Sequence, residues 1–145
     1  MPLASAVAIL ASTLFAGAAL YINLVEHPAR LSCGTEIAWR QWVPSYKRAT
    51  IMQASLAVAA SIAGAARWAL SREALWLFGA LAIFAVVPVT LLVIFPTNAK
   101  LLAADRDPAS YETRALLEKW GRLHFVRSLL SLVAAALFVW AAVRD

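Results

Sequence analysis

The chain is short of the residues from which soluble surfaces and most cofactor sites are built. Its one cysteine, Cys33, excludes an internal disulfide and any CxxC redox or zinc motif; it reads as a small filler in an interfacial loop. Histidines number 2, and charged residues make up only 14%. Acidic residues are few, 8 against 13 basic, and the net charge is +5. The acidic residues interleave with the basic ones and no aromatic stacking positions are evident, so nucleic acid is a poor explanation of that charge. Transport is disfavoured too, because the apolar runs contain no central acidic residue and their polar ends lie on one side. Met1-Pro2-Leu3-Ala4 has no basic n-region before its long apolar run, so the expectation is a retained first span rather than a cleaved signal.

What the chain has is apolar length. Hydrophobic residues make up 63%, with a mean hydropathy of +0.74. A chain of this size cannot hide so much apolar surface, so lipid must be part of its solvent. Four uncharged runs carry the surface: Leu3–Val25, Ile51–Ala66, Leu75–Phe95 and Ser128–Val143. Crossing a hydrocarbon core about 30 Å thick takes roughly 20 helical residues, and flanking residues make up small shortfalls. The sequence therefore predicts an all-α fold, a four-transmembrane-helix up-down bundle with spans near 3–25, 50–68, 75–95 and 122–143 in one integral membrane domain over 1–145. Arg30, Arg40, Lys47 and Arg48 follow span one, and Lys100, Arg106, Arg114, Lys119, Arg122 and Arg127 follow span three. The other face holds only Arg67, Arg72 and Arg144. Short loops rich in Lys and Arg stay cytoplasmic, which puts both termini outside and loops 26–49 and 96–122 inside.

Between spans one and two, Trp39, Trp42 and Tyr46 recur at helical spacing. A short interfacial helix from Thr35, ended by Pro44, would carry that stripe. It serves either as a membrane-lying anchor, the heavier reading, or as a lid over the polar face. Asp107-Pro108 reads as an N-cap with proline at the first helical position. The helix it starts would run into span four, pair Glu118 with Arg122, and bend at Gly121. Gly79 and Pro88 interrupt span three, and Pro88 is expected to kink it. No span carries an unmistakable GxxxG face, which leaves homo-oligomerisation open.

The unusual polar residues gather at the predicted cytoplasmic ends. Span one closes on Asn23, Glu26 and His27, with Asn23 and His27 on one helix face. Tyr46 and Gln53 open span two, Asn98 follows span three, and Trp120, His124 and Arg127 open span four. Pro28 disfavours a helical His27, so the first helix is expected to end or bend there. A guanidinium at the depth of Arg127 needs a carboxylate, a carbonyl or water; Glu26 is the candidate partner, with snorkelling to headgroups equally weighted. Capping of broken helix ends would equally explain Asn98 and Gln53. Two histidines at matching depth on neighbouring helices suit acid–base work. His27, His124 and Glu26 would also make a two-histidine, one-carboxylate set for non-haem iron, but no HxxxH, ExxH or His-rich spacing supports it. No cofactor is expected; metal and, still less, haem are the minor alternatives.

Glu26-His27-Pro28-Ala29-Arg30, Trp42 through Tyr46-Lys47-Arg48-Ala49 with Gln53, Pro96-Thr97-Asn98, and Trp120-Gly121-Arg122-Leu123-His124-Phe125-Val126-Arg127 together resemble the anthrone oxygenase-like family. These are small four-span membrane proteins, many of them bacterial, and the likeness runs over nearly the whole chain. The resemblance implies the four-span fold, a bacterial inner membrane, and oxidation of anthrones to anthraquinones without a conventional cofactor. The residues fit that chemistry. His27 or His124 would remove a proton from an acidic methylene, Arg127, Asn98 or Gln53 would hold the developing oxyanion, and Trp120 or Tyr46 would stack on a flat ring. Asn23 shares the face of His27. On this reading His27, His124, Glu26 and Arg127 are catalytic and surround one cavity, and the partners are lipid and a hydrophobic anthrone- or quinone-like molecule. The competing class is a non-catalytic accessory, lipid- or cofactor-binding protein, in which the polar residues satisfy one another.

Overall fold

The structure, a computed structural model, describes residues 1–144. Its frame is four long helices: α1 (Leu3–Ser32), α2 (Thr35–Ser71), α3 (Ala74–Leu101) and α4 (Tyr111–Arg144). Each contains one expected span almost entirely, and no strand occurs among the described residues. Cys33 and Gly34 join α1 to α2, Arg72 and Glu73 join α2 to α3, and 102–110 leads to α4. Connections this short make consecutive helices antiparallel neighbours, and α4 closes the ring by packing on α1.

Two clusters form the core. One is alanine-rich and built around Phe15, Trp76, Ile83 and Phe138. A Cβ at Gly64 or Gly79 would stand 2.6 or 2.5 Å from the Phe138 ring. Gly79 therefore does not interrupt the third helix as expected; it makes room for an aromatic ring between helices. The second cluster, around Trp42, Ile94, Leu101, Leu117 and Trp120, lies at the end where the polar residues gather. At most 39% of the most apolar stretch of any helix is buried inside the bundle. Large side chains such as Leu10, Ile62, Leu92 and Trp140 face outward, so a lipid solvent is required to cover them.

The helices depart from regularity where proline falls. Ile22–Glu26 and Val89–Ile94 are π-helical, and each stands just ahead of a proline, Pro28 and Pro96. In the widened turn the His27 amide reaches the Ile22 carbonyl and the Phe95 amide reaches that of Thr90. This is the wide-turn device that lets a helix continue past an irregularity. The first helix accordingly passes His27 and Pro28 and continues to Ser32, rather than ending there. In α3 the helix breaks at Ala85 before Pro88, where a kink is expected.

The interfacial helix from Thr35 does not stop at Pro44. It runs unbroken into the second span, 37 residues in all, about 55 Å long. Proline costs one helical bond there, and packing on both sides outweighs it. Trp42 is fully buried and stacks on Tyr46 at 4.9 Å, while the Trp39 indole donates to the Leu101 carbonyl at 2.8 Å. The aromatic stripe is thus turned inward as a lid, not laid along headgroups. At the start of α4 the cap is Ser110, whose Oγ accepts from the Thr113 amide at 3.1 Å. Asp107 instead closes the turn before it, accepting from the Ala109 amide at 2.9 Å. Glu118 pairs with Arg114 at 2.7 Å, not with Arg122.

Candidate functional site

The site is assembled across the seam between α1 and α4. Asn23 lies in the π-helical turn of α1, and its Nδ2 donates to the Gly121 carbonyl at 2.9 Å. A carbonyl can only accept, which fixes the amide: Oδ1 points the other way. That oxygen accepts from Ser128 Oγ at 2.7 Å and meets His124 Nδ1 at 2.8 Å. His124 must therefore donate from Nδ1, and in the neutral ring Nε2 carries the lone pair. Among the described residues no group hydrogen-bonds that Nε2.

The second histidine is held the opposite way. His27 Nε2 donates to the Leu117 carbonyl at 2.8 Å, leaving a buried Nδ1 without a partner. Its ring lies so close to α4 that a Cβ at Gly121 would come within 2.7 Å of Cδ2. Gly121 is therefore the seat of the imidazole, and α4 continues as an unbroken helix through it. Trp120 touches both imidazoles, with ring centroids 5.1 Å from His27 and 4.8 Å from His124, and meets the edge of Trp42 at 5.7 Å. With those neighbours Trp120 fixes the histidines rather than offering a free face to a ligand, and Tyr46 is likewise stacked on Trp42.

Arg127, on the same helix, is buried and donates to Gln53 Oε1 at 2.7 Å. Its guanidinium sits 5.4 Å from the centre of the Phe15 ring. The expected partner is elsewhere. Glu26 accepts from Arg30 and, at 2.9 Å each, from Gln41 and Ser45. It ties the end of α1 to α2, and among the described residues no carboxylate pairs with Arg127. The physical reason is reach: Arg30, one turn on along the same helix, competes for Glu26 at far lower entropic cost.

The predicted residues therefore fall into groups. His124, Tyr46, Gln53, Trp120 and Arg127 line one small cavity of about 10 Å³, together with Arg30 and Ser45. His27 and Asn23 line an open groove of about 460 Å³ between α1 and α4 instead, so the four expected catalytic residues do not surround one cavity. Asn98 is buried with Oδ1 unpaired and lines neither space. Among the described residues no three potential ligands converge on a metal site; the His27, His124 and Glu26 set is divided between different partners. Sequence reasoning missed the Gly121 and Leu117 carbonyls, because backbone groups leave no residue signature, and Ser45, an ordinary loop serine until α2 is seen to be continuous.

Residues 42–137 match the family model for anthrone oxygenases. The chain is 32% identical to the anthrone oxygenase nsrD of Aspergillus novofumigatus, covering 97% of this chain and 94% of that protein. It is 33% identical to the anthrone oxygenase AgnL2 of Paecilomyces divaricatus, covering 92% of each. The chain belongs to the anthrone oxygenase family. The family-model match takes in Tyr46, Gln53, Asn98, Trp120, His124 and Arg127 and starts beyond Asn23, Glu26 and His27, which lie inside the full-length similarity to these fungal proteins. No solved structure matches.

Proposed function

We propose that this anthrone oxygenase family member is an integral membrane monooxygenase that oxidises a flat, hydrophobic anthrone-like methylene to a carbonyl. It takes its substrate from lipid and uses the polar end of the bundle, on the cytoplasmic side by the charge bias of the loops. The observation that supports this most is the pairing of His124 and Arg127. Asn23 holds the imidazole so that Nε2 is a free base, and that ring shares a cavity with a buried guanidinium lacking a carboxylate.

The roles follow from the bonds. His124 Nε2 accepts the proton from the substrate methylene, which acidifies because the developing negative charge moves onto the substrate's carbonyl oxygen. Arg127, oriented by Gln53, binds that oxyanion in a site shielded from bulk water. The enolate, now electron-rich, reacts with molecular oxygen. One oxygen atom becomes the new carbonyl and the other leaves as water with the two methylene hydrogens, so the methylene gives up all four electrons that reduce the oxygen molecule and no separate reductant enters. The cavity beside His124, about 10 Å³, is sized for one water, and a general base can take its proton through one water. Asn23 is a positioning residue: it sets the tautomer. Trp120, His27 and Gly121 hold the stack against which His124 is fixed, and Glu26 with Arg30 anchors α1 to α2 around it.

Oxygen uptake by the purified protein with an anthrone tests this reading. His124→Ala is expected to lower the turnover by about 10²–10⁴, the range for loss of a general base. Uptake at the wild-type rate would remove His124 from the reaction.

A further inference from the structure

A cleft of about 170 Å³ opens between α2 and α3, and Arg127 and Gln53 form its inner end. We infer that this cleft is the substrate-binding site, reached sideways from the bilayer, and that it takes a planar aromatic weak acid oxygen-first onto Arg127. The inference rests on the oxygenase reading above and adds where the ring sits, which way round, and what limits its size.

The charge argues for an anionic oxygen. Arg127 is 8% exposed and Gln53 1%; Arg127 Nε and Gln53 Nε2 are buried donors with no partner. A buried cation with unspent donors and no carboxylate is complementary to an oxyanion brought by a ligand. The other polar side chains of the cleft are already committed as donors: Thr50 gives its hydroxyl hydrogen to the Tyr46 carbonyl at 2.8 Å and Thr90 to that of Val86 at 2.7 Å. One polar end thus remains, which sets the ligand's direction.

The walls argue for a flat apolar body. Phe15, whose ring already carries the Arg127 guanidinium on its face, forms one side, and Ala57 and Val87 another. Ala54 and Leu91 stand at the mouth and are exposed on the lipid-facing surface. Alanines on α2 leave the slot, and α3 opposite them is irregular, broken at Ala85 and π-helical from Val89. Backbone of that kind persists at membrane depth where it lines a cavity. The volume accommodates part of a fused ring system, with the outer edge left in lipid; it falls below the usual range for enclosing a drug-sized molecule. Arg127 and Gln53 border both this cleft and the small cavity of His124, so they stand between the bound oxygen and that imidazole.

The test uses a monohydroxyanthraquinone, already oxidised and therefore unreactive, whose phenolate has its own visible absorbance. Wild-type protein in nanodiscs is expected to bind it saturably, one to one, and to promote ionisation of the phenol at lower pH than free lipid does. Ala54→Trp, at an exposed position in the mouth, is expected to weaken binding at least about tenfold, whereas Ser55→Trp, also exposed but outside the cleft, should not. Arg127→Met should abolish the ionisation shift and weaken binding by about 10- to 100-fold, as for a hydrogen bond to a charged group. Unchanged binding in Ala54→Trp, an unmoved ionisation in wild type, or displacement of the probe by equimolar palmitate would overturn the inference. Binding with these signatures but no oxygen uptake from an anthrone would uphold the site and sink the oxygenase reading. Uptake alongside unchanged binding in Ala54→Trp would do the reverse.

Discussion

Replacing Gly121 by alanine separates two accounts of that residue by sign. If Gly121 merely loosened α4, Gly121→Ala would stabilise the protein by about 1 kcal/mol, the difference in helix propensity. The geometry predicts the opposite. The new Cβ would lie 2.7 Å from His27 Cδ2 and 2.9 Å from Nε2, against an ordinary carbon contact of about 3.5–4.0 Å. The imidazole would have to retreat by most of an ångström. It is not free to do so, because Nε2 is bonded to the Leu117 carbonyl at 2.8 Å and the ring rests on Trp120. Overpacking costs about 1–3 kcal/mol and a lost buried hydrogen bond about 1–3 kcal/mol. Less the propensity gain, the net loss is roughly 1–5 kcal/mol, seen as a Tm lowered by several degrees in detergent. In a His27→Ala background the same substitution should lose its penalty and become neutral or stabilising. A Gly121→Ala protein as stable as wild type in the presence of His27 would refute the close-approach argument.

Other outcomes follow from the same bonds. Asn23→Leu frees the His124 tautomer and should lower oxygen uptake by about 10²-fold or more while substrate binding holds; kcat measured against KM checks it. Arg127→Met with Gln53→Leu removes a buried cation and its partner together, so the double variant should unfold no earlier than wild type yet lose about 10²–10³ in turnover, the cost of an oxyanion donor. Glu26→Gln leaves the Arg30 guanidinium, 6% exposed, without its carboxylate. It should lower the Tm in a thermal melt, with turnover per folded molecule within about threefold of wild type, because Glu26 contacts neither Arg127 nor His124.

The frame was legible because apolar run length is a property of sequence alone: each expected span falls almost wholly within one observed helix. The gathering of Asn23, Gln53, His124 and Arg127 at one end was legible for the same reason, since an up-down bundle fixes which helix ends meet. Partner choice was not. Arg127 takes Gln53 rather than Glu26 because Arg30 lies one turn from that carboxylate, a competition decided by side-chain reach. The continuity of α2 through Pro44 was hidden as well: proline reads locally as a stop, and the packing of Trp42 against Trp120 that overrides it is tertiary. Pro28 also reads as a helix end or bend, and the π-helical turns that carry α1 past it and α3 past Pro96 have no composition of their own.

Whether His124 drives the reaction is read most directly from oxygen consumption by metal-analysed, purified wild-type protein given an anthrone, beside His124→Ala and Ser55→Trp. One oxygen molecule should be consumed per anthraquinone formed, with the rate unaffected in Ser55→Trp and lowered by about 10²–10⁴ in His124→Ala. Equal rates in all three proteins, or no uptake above the uncatalysed reaction in any, would contradict that role.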